Sequence, residues 1–347
     1  MTTHRSTGVL RLPGGISLRF RPRALAVAGG SALLTALLAV LALGSGDYPI
    51  SPADVLRALT GGGSPADEFI VQQLRLPRVV TALLVGVALA LAGAVFQTVV
   101  RNPLGSPDVL GFTQGAAAGA LVVVVAGGSS LALAGGAVAG GLASGVLVYA
   151  LAWRRGVHGY RLVLVGIGVS AILTGVNGYL LTRAQLMDAA RAMLWLTGSL
   201  NGRGWEVAGP LLVALAVLVP VVLCCGPALR MIELGDDTAY ALGVPVERLR
   251  LVLLTAAVLL ASFAAAAAGP VSFVALTAPQ VARRLTRAPG PNLLPSALLG
   301  AAFLVAADWV AQRAVPGHEL PVGVVTGVLG GGYLVWLLAT ERKAGRI

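Results

Sequence analysis

ELGDDTAYALGVPVERLR, Glu233–Arg250, is a charged island set between two long apolar stretches. Asp236 is placed to cap a short helix and Gly243 to end it. Pro245 suits the first turn of the helix that follows. A helix of about two turns is marginal alone in water, so this one needs its own body on one side and something else on the other. Asp236 and Asp237 stand at its N-terminal end, where the helix dipole favours negative charge. Ala239 and Leu242 are three residues apart, which puts both on one face and predicts an apolar contact there. The island reads as a docking handle, with Glu233, Leu234, Gly235, Asp236, Asp237, Ala239, Leu242 and Gly243 as its candidate contact residues.

The chain around the island is apolar. Of 347 residues, 57% are hydrophobic and 11% charged, where a soluble domain carries about 25% charged. Mean hydropathy is +0.87. The composition is that of an all-α membrane protein, long enough for about ten helical spans of roughly 20 residues each with their loops. The net charge of +11 does not imply nucleic acid as a partner. The arginines punctuate apolar runs instead of gathering on one soluble face, as the positive-inside rule predicts for a polytopic chain in contact with membrane lipid.

Outward from the island, residues 1–23 form a basic tail with Arg5, Arg11, Arg19, Arg21 and Arg23. The apolar run Ala24–Leu43 that follows is too long for a typical signal-peptide core and reads as an uncleaved first span. The remaining spans are expected at Val79–Val100, Val109–Ala126, Leu131–Trp153, Arg161–Thr182, Glu206–Gly226, Leu251–Ala268, Gly269–Val281, Leu293–Gln312 and Leu320–Thr340. Residues 24–340 thus make one transmembrane domain, with the island inside it and 341–347 as a C-terminal tail. Ten spans put both ends on one side. With the N-terminus in the cytoplasm, 18 of the 25 Lys and Arg residues fall inside and 7 outside, which fixes the orientation. Asn102-Pro103-Leu104-Gly105-Ser106-Pro107 and Gly269-Pro270 break the apolar pattern and predict turns. Gly115/Gly119, Gly136/Gly140, Gly141/Gly145 and Gly323/Gly327/Gly331 predict close helix packing.

The catalytic signatures are missing from the sequence. The single lysine, Lys343, is preceded by arginine and followed by alanine, so no GxxxxGK[ST] phosphate loop exists and the chain is not expected to hydrolyse ATP. It is read as a transport subunit, not an enzyme, without a cofactor of its own. His4, His158 and His318 share no ligand spacing, and no metal site is expected. Cys224 and Cys225 are neighbours in an apolar run and read as small core residues. Asp308 is the one carboxylate well inside an expected span. That scarcity argues against an ion-coupled secondary transporter, which would carry intramembrane relays. Gln97, Asn177 and Gln280 are embedded amides that either bond between helices or line a path.

Six collinear segments carry a family resemblance. They are LRLPR (Leu74–Arg78), LAGAVFQTVVRNPLGSPDVLGF (Leu91–Phe112), WLTGSLNGRGW (Trp195–Trp205), GDDTAYALGVPVERLR (Gly235–Arg250), AGPVSFVALTAPQVARRL (Ala268–Leu285) and LPVGVVTGVLGGGYLVWLL (Leu320–Leu338). The chain resembles the FecCD family, the permease subunits of ABC importers for ferric siderophores, haem and cobalamin. Within it the chain is most similar to ferric-enterobactin-type permeases. Two departures stand out: Gly331-Gly332-Tyr333 replaces the commoner Gly-x-Pro-Phe-Phe, and the usual Pro-His is Pro279-Gln280. The second puts a proton-transfer role there in doubt.

The resemblance implies a type II ABC importer permease fold, with spans 2–5 and 7–10 related as an inverted repeat and both termini cytoplasmic. It implies a second permease (a non-identical sister), two ATPase subunits that bind ATP and magnesium, and an extracytoplasmic substrate-binding protein. Glu233–Gly243 then corresponds to the coupling helices that meet the ATPase. Arg75, Arg78 and Arg313 match positions that meet carboxylates of the binding protein; helix capping or contact with lipid phosphates is the alternative. His158 and Gly159 are inner-gate candidates. The implied cargo is a ferric siderophore of catecholate type, carried by alternating access across the inner membrane, with hydroxamate siderophores, haem and cobalamin as alternatives.

Overall fold

The computed structural model describes residues 8–11, 17–153, 159–315 and 317–343. Within the basic tail, β1 (Gly8–Arg11) and β2 (Ser17–Phe20) pair antiparallel, Gly8 opposite Phe20. The rest is helical: α1 (Pro22–Gly44), α2 (Pro52–Leu59), α3 (Pro65–Phe69), α4 (Leu76–Val100), α5 (Phe112–Val125), α6 (Ser130–Ala152), α7 (Gly159–Arg183), α8 (Leu186–Leu196), α9 (Trp205–Cys224), α10 (Gly226–Glu233), α11 (Asp236–Ala241), α12 (Val246–Ala268), α13 (Val274–Thr286), α14 (Leu293–Ala311) and α15 (Val322–Lys343). Among the described residues, seven helices are long and apolar enough to cross a membrane, and Phe112–Val125 and Val322–Leu337 are shorter apolar helices.

Two helices form the centre. α4 and α12 are buried along most of their length, while α1, α6, α7 and α9 expose most of theirs. Their composition explains this. α4 presents Ala88, Ala90, Ala92, Gly93 and Ala94 where neighbours approach, all of them buried. A Cβ on Gly86 would overlap the Gly300 carbonyl of α14, and one on Gly300 the Gly86 carbonyl. Gly93 sits so close to Ala275 of α13 that a Cβ would overlap its carbonyl. In lipid, where apolar burial does not drive helices together, such close backbone contact is what holds a bundle.

The glycine spacings act the same way. Gly115 and Gly119 of α5 interlock with Gly140 and Gly136 of α6, each in the space a Cβ would need. Gly141 and Gly145 meet Ser262 and Val258 of α12. On α15 the series divides. Gly323 packs on Thr197, but Gly327 and Gly331 face open space.

Some expected boundaries shift. The second span does not begin at Val79: a helix runs unbroken over Pro65–Val100, with one turn of π-helix at Ile70–Arg75. Ser64 caps it through the Asp67 N–H. The polar residues that hid this extension are held by partners, as with Gln72, whose side chain donates to the Ala58 carbonyl at 2.6 Å. The helix in the region of the expected eighth span begins at Val274, not Gly269, and is not among the helices long and apolar enough to cross a membrane. Gly269 (φ 72) and Phe273 (φ 68) both lie in the left-handed region, so residues 269–273 cannot continue a helix. It then runs on to Thr286, past the expected end at Val281. Residues 102–111 are longer than a tight turn and fold back along α4, where the Phe112 ring stacks on Phe96 at 5.2 Å.

Candidate functional site

The island folds into the end of α10, the six-residue α11 and the start of α12. Gly235, at φ 119, turns the chain into α11 in a conformation that only glycine adopts readily. Gly243, at φ 82, turns it out again, as expected. Asp236 does not cap the helix. It is the first helical residue, and its carboxylate takes both oxygens to Arg250 Nη2 at 3.0 Å. The same carboxylate pairs closely with Arg101. Arg101 itself ends α4 at φ 55 and donates from Nε to the Ile232 carbonyl at 3.1 Å. Arg250 also reaches Glu247 at 3.1 Å. One carboxylate thus fastens α11 to the ends of both central helices. Charge-assisted pairs of this kind are geometrically selective. Pro245 precedes α12, which starts at Val246.

Ala239 and Leu242 do not share an exposed face. Ala239 is fully buried against Ile232, Val244 and Val246, because α11 must rest its one apolar stripe on the body beneath it. The exposed apolar residues are Leu234 (68% exposed), Tyr240 (50%) and Leu242 (57%), with Asp237 exposed beside them. Glu233 turns inward. Burial pushes its carboxyl above the ordinary value, opposed by Arg283, Arg230 and a hydrogen bond with Thr98.

At the opposite end of the bundle the three selected arginines differ. Arg78 forms a fork on Asp308 of α14, Nη2 to Oδ1 and Nε to Oδ2, both 3.0 Å. It also reaches Glu319 at 3.0 Å. Its side chain is 14% exposed and that of Asp308 4%, and Gln312 donates to the same carboxylate at 2.8 Å. Arg78 is therefore committed within the chain. Arg75 donates to the carbonyls of Leu43 and Tyr48, both at 2.7 Å. Arg313 is exposed and lies over the Trp309 ring, 4.9 Å from its centre. Arg75 and Arg78 line a cleft of ≈ 580 Å³ with Arg203, Asp47, Glu206 and Glu319.

Each embedded amide bonds between segments. Gln97 donates to the Leu276 carbonyl at 3.0 Å, Asn177 to the Gln114 side chain at 3.0 Å, and Gln280 to the Pro103 carbonyl at 2.8 Å. The oxygens Oε1 of Gln97 and Oδ1 of Asn177 are buried without a hydrogen-bond partner. Of the gate candidates, His158 lies outside the described residues. Gly159 starts α7, where a Cβ would stand 2.8 Å from the Val100 carbonyl. Sequence reasoning missed Arg101, Arg250, Tyr240 and Arg203 as members of these sites. The signal for Arg101 was there: a lone arginine at a span end, with an aspartate-bearing island at the same end of the bundle.

The family model described as the FecCD transport family matches residues 34–340. The chain belongs to the FecCD transport family. It is 45% identical over 320 residues to the ferric enterobactin transport system permease protein FepG of Escherichia coli K12, covering 90% of this chain and 97% of that one. It is 39% identical over 315 residues to the Fe(3+)-citrate import system permease protein YfmE of Bacillus subtilis 168, covering 90% and 94%. Among solved structures, it superposes with a TM-score of 0.79 on an inward-facing metal-chelate-type ABC transporter, at 28% identity and over 91% and 99% of the two chains. The island and Arg75, Arg78 and Arg313 lie within the matched region.

Proposed function

We propose that this chain is a transmembrane permease subunit of an ATP-driven ABC importer that carries a ferric siderophore of catecholate type across the inner membrane. The observation that carries the reading is the geometry of α11. It offers Leu234, Tyr240 and Leu242 outward and is tied by Asp236 to Arg101 and Arg250, so a push on it reaches α4 and α12. The partner that pushes is an ATPase, which binds ATP and magnesium; this chain binds neither. The cargo assignment rests on the 45% identity to a ferric enterobactin permease.

In this reading the seven long spans together with α5, α13 and α15 make ten crossings, with both termini in the cytoplasm. The island then faces the ATPases and the cleft of Arg75 and Arg203, with Arg313 beside it, faces the substrate-binding protein. Arginine–carboxylate pairs there would orient the binding protein and speed its encounter. A second permease, a non-identical sister, completes the path; the exposed Val324, Val328 and Val335 of α15, together with the uncovered Gly327 and Gly331, support a partner on that face.

The test is uptake by proteoliposomes that contain this chain, its sister permease and the ATPase, with binding protein added outside. Expected is accumulation of a ferric catecholate that needs ATP and binding protein. Uptake of a ferric hydroxamate or haem in its place would revise the cargo, and uptake independent of ATP would overturn the ABC reading.

A further inference from the structure

The two central helices end alike. α4 is followed by the non-helical segment 102–111, with Pro103 and Pro107, and then by the 14-residue α5. α12 is followed by residues 269–273, with Pro270, and then by the 13-residue α13. Each short helix is entered through a left-handed residue, Gly111 at φ 85 and Phe273 at φ 68. For phenylalanine that conformation costs about 1–2 kcal/mol, so surrounding contacts must hold it.

Both short helices begin at the same level inside the bundle. The Phe112 ring stacks on Phe96, four residues before α4 ends, which at 1.5 Å per residue is about 6 Å in from that end. Ser144, mid-way along α6, donates to the Gly111 carbonyl at 3.0 Å. The first turn of α13 lies beside Gly93 and Gln97 of α4. From there α13 runs toward the island, where Arg283 in its last turn reaches Thr98 at 3.5 Å. α5 runs the other way. Their N-termini therefore face one another, and each is the positive end of a helix dipole.

Asp108 sits half-buried between them. Its carboxylate accepts from Thr113 Oγ1 at 2.8 Å, in the first turn of α5, and lies close to the Phe273 N–H at the entry to α13. The Gln280 bond to Pro103 is a second tie between the same loop and α13. Neither the coupling face nor the arginine cleft uses Asp108.

We propose that Asp108 is a positioning residue of the transport cycle, fastening the N-termini of α5 and α13 so that the two half-helices move as one body when α11 is driven. This rests on the permease reading. A carboxylate is suited to the role because it accepts from α5, stands at the entry to α13 and complements both dipoles, where a neutral amide of the same shape loses the charge.

The experiment compares wild type, Asp108→Asn, Asp108→Glu and Thr113→Val in the complete importer in proteoliposomes, with a ferric catecholate as cargo. Expected for Asp108→Asn is at least a tenfold fall in maximal uptake, with KM for loaded binding protein within twofold of wild type and ATP hydrolysis continuing. Asp108→Glu restores part of the rate, and Thr113→Val shows a smaller fall of the same kind. Hydrogen exchange in the first turn of α13 quickens in Asp108→Asn and not in Asp108→Glu. Uptake by Asp108→Asn within twofold of wild type overturns the proposal. So does a fall in uptake matched by equal falls in ATP hydrolysis and in assembled complex, which marks a structural residue only. Should Asp108→Asn fail to insert, Thr113→Val decides by the same criteria. A wild type that shows no ATP-driven uptake refutes the permease reading itself, which separates that failure from this one.

Discussion

Asp308 and Asp236 do similar work at opposite ends of α4. Asp308 holds Arg78 near its start, and Asp236 holds Arg101 at its finish. The first pair is the more deeply buried, and removing one partner of a buried pair costs about 3–5 kcal/mol because the other charge is left uncompensated. Arg78→Ala is therefore expected to lower the thermal stability of the purified permease markedly. Pairing Arg78→Met with Asp308→Leu is expected to restore most of it, since apolar replacement of both members is often neutral. Melting curves in detergent check this; a single variant as stable as wild type would mean that the pair carries no structural load. Arg78 also shows where residue types alone stop informing. An arginine at a span end looks the same whether it meets another protein or an aspartate 230 positions later, and only the fold brings Asp308 to it. Gln280 is the reverse case. Its amide was open to two roles in the sequence, and in the structure it donates to the Pro103 carbonyl across segments.

At the scale of elements, the apolar runs were legible because each long helix is uniformly apolar, and the ends were less so. α4 appeared to start at Val79 because Gln72, Gln73, Arg75 and Arg78 interrupt hydropathy; tertiary partners satisfy three of them, so the helix continues through. The non-helical entries to α5 and α13 announced themselves through proline and glycine, but their folding back into the bundle did not. That depends on contacts such as Phe112 on Phe96, which no local pattern encodes. In α11 the three-residue spacing placed Ala239 and Leu242 together, yet on so short a helix the body beneath claims the smaller residue. The close approach of α4 to α13 gives an element-level prediction. Gly93→Ala would force Ala275 away, and overpacking of this kind costs typically about 1–3 kcal/mol. Expected are reduced thermal stability and faster hydrogen exchange at Val274–Thr277, whereas Gly30→Ala, on the exposed face of α1 with open space around it, leaves both unchanged. Equal effects of the two substitutions would contradict the packing described.

For the molecule as a whole, two differently built ends are joined by α4 and α12. One end carries the arginine cleft, and the other carries α11 with its exposed leucines and tyrosine. On the proposed function, this second end receives the ATPase and the buried side of α11 carries the motion inward. Site-specific photo-crosslinking in native membranes tests it most directly, with a photoreactive residue placed in turn at position 242 and at position 239. Leu242 is 57% exposed and Ala239 fully buried. Position 242 is expected to crosslink to the ATPase subunit, with a yield that changes when ATP is added, and position 239 only within the permease. Crosslinking at position 242 to lipid alone, or equally to the ATPase from both positions, would contradict it.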